Sequence, residues 1–182
     1  GDFGQFIYVN YLSSGLGSND VGLDRGQIGD TRLVQFEKYG NKLLLIEDNL
    51  DYRAISDNPL EAKSVKEAFA RSTIEAFTII ENKNDVYKIE ITSFIVSDAH
   101  GVVQNLKRQK QGNYKFSANR SVVDPSRCKS FPKNTEFEAI VTFEGEAPGR
   151  NLRSVVADSG SFTLGVHHSF VALPDDQYKP RK

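Results

Sequence analysis

The chain is predicted to be an α+β domain, mainly antiparallel β, with hairpin-rich sheet and one or two short helices. Two segments alternate with period two, three pairs of apolar runs are joined by short turn-forming stretches, and only two segments carry a helical apolar stripe. Strands that outnumber helices and are joined by hairpins point to antiparallel sheet.

In order along the chain, Gln5–Leu12 is an apolar-rich strand. Arg32–Tyr39 and Lys42–Glu47 flank Gly40-Asn41, a pair suited to a tight hairpin turn. Asn58-Pro59-Leu60-Glu61 reads as an N-cap, a proline at the first helical position and an acid near the helix start, and Val65, Ala68 and Phe69 form the stripe that follows. Arg71–Glu81 and Val86–Val96 flank the turn residues 82–85. Within the second of these, Tyr87, Ile89, Ile91 and Ile95 point one way and Lys88, Glu90 and Thr92 the other. A second helix is expected from about Asp98, burying Val102, Val103 and Leu106. Thr135–Phe143 repeats the alternation, with Phe137, Ala139, Val141 and Phe143 on one face. Arg153–Ala157 and Ser161–Leu173 flank Asp158-Ser159-Gly160 as a further hairpin.

With 182 residues, one globular domain over 1–174 is expected, ending in a polar linker at 175–182 that leads to a further domain. The net charge of −1 and pI near 6.4 give no electrostatic case for a nucleic-acid partner. No apolar run approaches the roughly 20 residues of a membrane-spanning helix, so no membrane insertion is expected. The single cysteine, Cys128, permits no internal disulfide and says nothing about redox compartment.

Tests for self-contained chemistry return little. The three histidines are His100, His167 and His168. The adjacent pair points to opposite faces of a strand and cannot share a metal without distortion, and there is no His-Glu-x-x-His or cysteine pair. No metal or cofactor site is therefore expected in this chain. The loop from Gly15 to Gly29 holds five glycines, but Asp20 stands where a dinucleotide fingerprint needs its third, and no Gly-Lys-Ser/Thr follows. Asp20 and Asp24 lack calcium-loop spacing. No Gly-x-Ser-x-Gly elbow is present, and none of the 24 acidic residues stands out as a catalytic pair. The loop reads either as a turn pinned by Asp24 and Arg25 or as a place where polar groups meet a partner. His168 shares a face with Phe162, Leu164, Val166 and Phe170, so it is either a satisfied core histidine or a group reaching a neighbouring domain. His167 lies on the more polar face with Thr163, Gly165 and Ser169.

Several of these stretches together carry a resemblance. Tyr11 through Gly29 with its Leu23-Asp24-Arg25-Gly26-Gln27, then Leu33–Phe36, Lys42–Ile46, Tyr52-Arg53-Ala54, Lys129–Glu138, His167-His168-Ser169-Phe170 and Leu173–Arg181, resemble one bacterial family. It is the domain of unknown function that precedes the met-zincin catalytic domain in large zinc-dependent metalloproteases of Bacteroidetes type. The resemblance implies a secreted or cell-envelope parent protein. It places the zinc in a downstream catalytic domain of the same polypeptide, which is the implied partner. It supplies no catalytic residues for this chain. The function expected is a non-catalytic accessory domain that packs beside the catalytic domain and shapes or shields its cleft, contacting it through Asp24, Arg25, Gln27 and His167 or His168. An Arg-Gly-Gln turn offers a guanidinium fork and open backbone amides for such a contact. The alternative is a module that binds peptide at a sheet edge, or glycan on tyrosines such as Tyr8, Tyr11, Tyr52 and Tyr114, and so delivers substrate. Tyrosines gathered in a groove would favour the module; tyrosines dispersed into the core would favour scaffolding.

Overall fold

The computed structural model describes residues 4–17 and 20–174; the expected linker at 175–182 lies outside the described residues. The chain is mostly antiparallel β, with 47% of residues in strands and 18% in helices. The strands in chain order are β1 Gln5–Ser14, β2 Ile28–Tyr39, β3 Lys42–Glu47, β4 Ser72–Lys83, β5 Val86–Ile89, β6 Asn113–Phe116, β7 Val122–Val123, β8 Lys129–Phe131, β9 Asn134–Glu146 and β10 Ser161–Ala172. The α-helices are α1 Pro59–Ala68, α2 Thr92–Ile95, α3 Val102–Arg108 and α4 Arg150–Arg153, and 3-10 turns occupy Ala118–Arg120 and Pro125–Arg127.

The described residues divide into two compact units, 4–6 with 32–90 and 7–31 with 91–174, so β1 and β2 each contribute to both. The first unit orders its strands β5-β4-β3-β2. The Gly40-Asn41 hairpin forms as its turn residues predict, pairing Tyr39 with Lys42 and Val34 with Glu47. Asn84 and Asp85, both with positive φ, turn β4 into β5. Val34, Leu43, Leu45, Ile46 and Phe77 are buried, and Phe36 packs between Phe6 and Phe77 at 5.4 and 6.1 Å. Helix α1 starts where its cap predicts, with the Leu60 N–H donating to Asn58 Oδ1 at 3.0 Å. It buries no residue at all.

The second unit orders its strands β1-β10-β9-β6, with β7 and β8 also pairing β9. The β9–β10 ladder sets Phe143 opposite Phe162, Val141 opposite Leu164 and Ala139 opposite Val166. All six are buried, so the period-two pattern delivers one continuous apolar face. The glycine loop closes on itself and on β1: Leu16 N–H donates to Leu23 O, Gly26 N–H to Leu12 O and Leu12 N–H to Gln27 O, at 2.6–3.0 Å. Gly15 is required there, because a Cβ would sit 2.3 Å from the Leu23 carbonyl oxygen. Val21 and Leu23 are buried, and Asn105 of α3 and Gln109 at its C-terminal cap donate to the Gly22 and Val21 carbonyls.

Two sequence expectations are corrected. The strand expected over Val86–Val96 ends at Ile89, and Thr92–Ile95 is a helical turn. Phe94 and Ile95 are neighbours and both buried; a strand would turn one of them away from the core, whereas a helical turn sends both inward. Arg153–Ala157 is not a strand either: α4 ends at Arg153 and buries Leu152, whose N–H donates to Gln111 Oε1 at 3.1 Å. Only the bridge between Asp158 and Ser161 survives of that hairpin, because β10 pairs with β9 on one side and β1 on the other.

Candidate functional site

The polar face of the β9–β10 ladder carries a connected cluster of ionisable groups. Glu136 and Glu138 are two apart on β9 and therefore face the same way, and the register sets Glu138 opposite His167 and Glu136 opposite Ser169. His167 Nδ1 lies 2.7 Å from Glu138 Oε2 and its Nε2 lies 2.8 Å from Glu136 Oε2. Ser169 Oγ donates to Glu136 Oε1 at 2.9 Å, and Asn134 donates to the same oxygen. Glu138, only 2% exposed, also accepts from Ser13 Oγ of β1 and faces Arg127 Nη1 at 3.3 Å. Asp124 fixes the turn that presents Arg127 by accepting from the Ser126 N–H at 3.1 Å. Tyr11 lies over the His167 ring at 4.6 Å.

Neighbouring groups shape the proton affinities here. At Glu136, burial pushes upward, but the hydrogen bonds from Asn134, Ser169 and His167 and the charge of His167 together hold the carboxyl below its usual range. The Tyr11 phenol is pushed up, first by burial and then by the charges of Glu138 and Glu136. Both ring nitrogens of His167 are engaged by carboxylates, and Ser13 donates to a carboxylate rather than to an imidazole. The arrangement differs from a nucleophile–base pair. It links β1, β9, β10 and the turn at Pro125–Arg127.

His168, on the opposite face, is fully buried. Its Nδ1 lies 2.9 Å from the Tyr8 hydroxyl, and its ring packs near Tyr8 and Phe94. Burial lowers its pKa to about 4; the Ile95 backbone offsets part of this, although no hydrogen-bond partner completes Nε2. Of the two readings of His168, the core histidine is the one its burial matches, since it has no surface to offer a neighbour. Asp24 and Gln27 pin the glycine loop, Asp24 N–H donating to Gln27 Oε1 at 3.2 Å, while Arg25 is exposed. No hydrogen bond or ion pair joins the side chains of Asp24, Arg25 or Gln27 to His167, so the structure does not gather the five sequence-selected residues into one site.

Sequence reading passed over His100. Its Nδ1 lies 3.0 Å from Asn10 Oδ1, and Asn10 Nδ2 donates to the Ala99 carbonyl at 3.2 Å, which fixes the amide so that Nδ1 is the donor. Burial lowers the His100 pKa against the opposing charge of Asp30. Nothing local signals this pair, because 90 positions separate its members. Among the described residues, no group of three His, Cys, Asp or Glu side chains is arranged to hold a metal ion, and no helix is long and apolar enough to cross a membrane.

The first unit presents a different surface. A groove of about 210 Å³ is lined by residues of the turn after β3 and of α1, with Asp48, Arg53, Lys66 and Arg71 as its charged groups. Tyr52 and Phe69 stack in it with ring planes 3° apart and centroids 3.6 Å apart. Tyr8 and Tyr114 are buried and Tyr11 is half-buried, so of the four tyrosines considered for glycan stacking only Tyr52 stands open.

Over residues 26–182 the sequence matches the family model described as a domain of unknown function, DUF5117. The chain belongs to this family. The DUF5117 match includes the β9 and β10 residues of the polar cluster and the α1 groove, leaves out Tyr11 and Ser13, and begins one residue after Arg25. No curated protein and no solved structure matches the chain significantly.

Proposed function

We propose that this DUF5117 chain is a non-catalytic interaction domain of a secreted, zinc-dependent bacterial metallopeptidase, docking on the peptidase's catalytic domain and shaping or shielding its cleft. The observation that carries the docking role is the segment from Leu50 to Phe69. Its helix buries nothing, yet Leu50, Tyr52, Ile55 and Leu60 are all exposed, Ile55 fully and Leu60 at 72%. Apolar side chains gathered on one short segment are the mark of a surface that a partner covers. The link to a peptidase rests on the family resemblance of the sequence. The chemistry of the polar cluster is compatible with a supporting role, since the His167 nitrogens and the Ser13 hydroxyl are already engaged by carboxylates.

The test is peptidase activity of the longer polypeptide carrying Ile55→Asp with Leu60→Asp, beside the unaltered protein. Both positions are exposed, so the variant folds. Activity or thermal stability of the whole protein is expected to fall. Unchanged values for both would remove the docking role from this surface.

A further inference from the structure

The α1 groove has a chemistry that selects its occupant. Arg71 is already compensated: it is hydrogen-bonded to Glu37, and Asp48 lies 3.7 Å away. The hydrogen bond from Arg71 is the main reason the Glu37 carboxyl sits below its usual range; burial opposes it, and Tyr39 and the charges of Arg71 and Lys66 add to it. Arg53 and Lys66, by contrast, are exposed and have no carboxylate within ion-pair distance among the described residues. Arg53 uses only its Nε, donating to the Leu50 carbonyl at 3.3 Å, which anchors the stem and leaves both terminal nitrogens open. The Tyr52 ring, which lines the same groove, is stacked on Phe69 and open to solvent. The remaining lining is Asn49 and the small or apolar Leu50, Ala54, Ala62 and Val65.

We infer that this groove receives an acidic side chain of a protein partner, with the carboxylate held by Arg53 and Lys66 and an adjacent apolar group resting on Tyr52. A guanidinium fork and an ammonium lining one groove are suited to a carboxylate, and a stacked aromatic ring gives contact area at little entropic cost. The exposed apolar side chains Leu50, Ile55 and Leu60 on the same segment favour a peptide, which carries apolar groups beside its carboxylates, over a sugar. The inference rests on the interaction reading above and specifies the partner's chemistry at that surface.

The experiment is a titration of the isotope-labelled full chain, followed by amide NMR shifts, with N-acetyl-Phe-Glu-amide, N-acetyl-Phe-Lys-amide and galacturonic acid as probes. The acidic dipeptide is expected to shift Tyr52, Arg53, Lys66 and Phe69, and to bind about fivefold more tightly than the basic one, the scale of exposed ion pairs. Arg53→Gln with Lys66→Gln, both exposed and so neutral for folding, is expected to abolish that preference. Equal affinity for the two dipeptides overturns the inference, as does a shift pattern elsewhere in the chain. So does a response to galacturonic acid alone, which would mark a glycan site. If the dipeptide ignores the groove while Ile55→Asp with Leu60→Asp still impairs the longer polypeptide, the charge chemistry fails and the docking surface stands. If both tests are negative, both fail.

Discussion

Acidification should weaken the second unit through His168, and the size of the effect follows from its burial. The ring is fully buried, and its pKa falls from an ordinary 6.5 to about 4. The unfolded chain therefore binds a proton below pH 6.5 that the folded chain refuses until about pH 4. Stability from this group is complete above pH 6.5 and is lost as the pH falls toward 4. A shift of about 2.5 units corresponds to about 3 kcal/mol. That is a large share of a typical domain's stability. Other acids titrate in the same window, so the comparison needs a variant in which only this group is silent. His168→Gln retains a polar atom for the Tyr8 hydroxyl and cannot ionise. Urea unfolding of both proteins from pH 7.5 to pH 4 gives two stability profiles. Wild type should lose about 3 kcal/mol more than the variant over that span, whatever the offset between them at pH 7.5. Parallel profiles would refute the reasoning and place the ring in contact with solvent or a compensating acid.

Other perturbations have equally direct outcomes. Glu138→Gln replaces the buried carboxylate shared by His167, Arg127 and Ser13 with an amide that keeps one acceptor oxygen and loses the charge, so thermal denaturation should register a loss of about 3 kcal/mol. Gly15→Ala places a methyl group against the Leu23 carbonyl and should cost about 1–3 kcal/mol in the same assay, with loosened hydrogen exchange at Leu16 and Gly26. Asn58→Ala removes the α1 cap and should fray that helix at a cost of about 1 kcal/mol, read from amide exchange at Leu60 and Glu61.

What the sequence discloses here is what neighbours along the chain decide. The Asn58-Pro59 start of α1 and the alternation of β9 depend on local caps and period, and both stand in the structure. Alternation also placed His168 with Val166 and Phe170 and His167 on the polar face. It misled at Thr92–Ile95, because residues 87–95 alternate on paper while Phe94 and Ile95 both seek the core. The contacts of the polar cluster were beyond local reading. Which glutamates meet His167 depends on the β9–β10 register, 29 and 31 positions away, and the His100–Asn10 pair depends on an even longer return of the chain. The α1 surface was hidden for a different reason: Val65, Ala68 and Phe69 form an ordinary amphipathic stripe, and nothing in the stripe says that this helix covers no core.

The docking claim is tested most directly by hydrogen exchange over residues 50–69, compared between this chain alone and the same residues within the proposed peptidase polypeptide. The account predicts slower exchange across α1 in the longer protein, because a partner surface covers Ile55 and Leu60. Identical exchange in the two settings would contradict it.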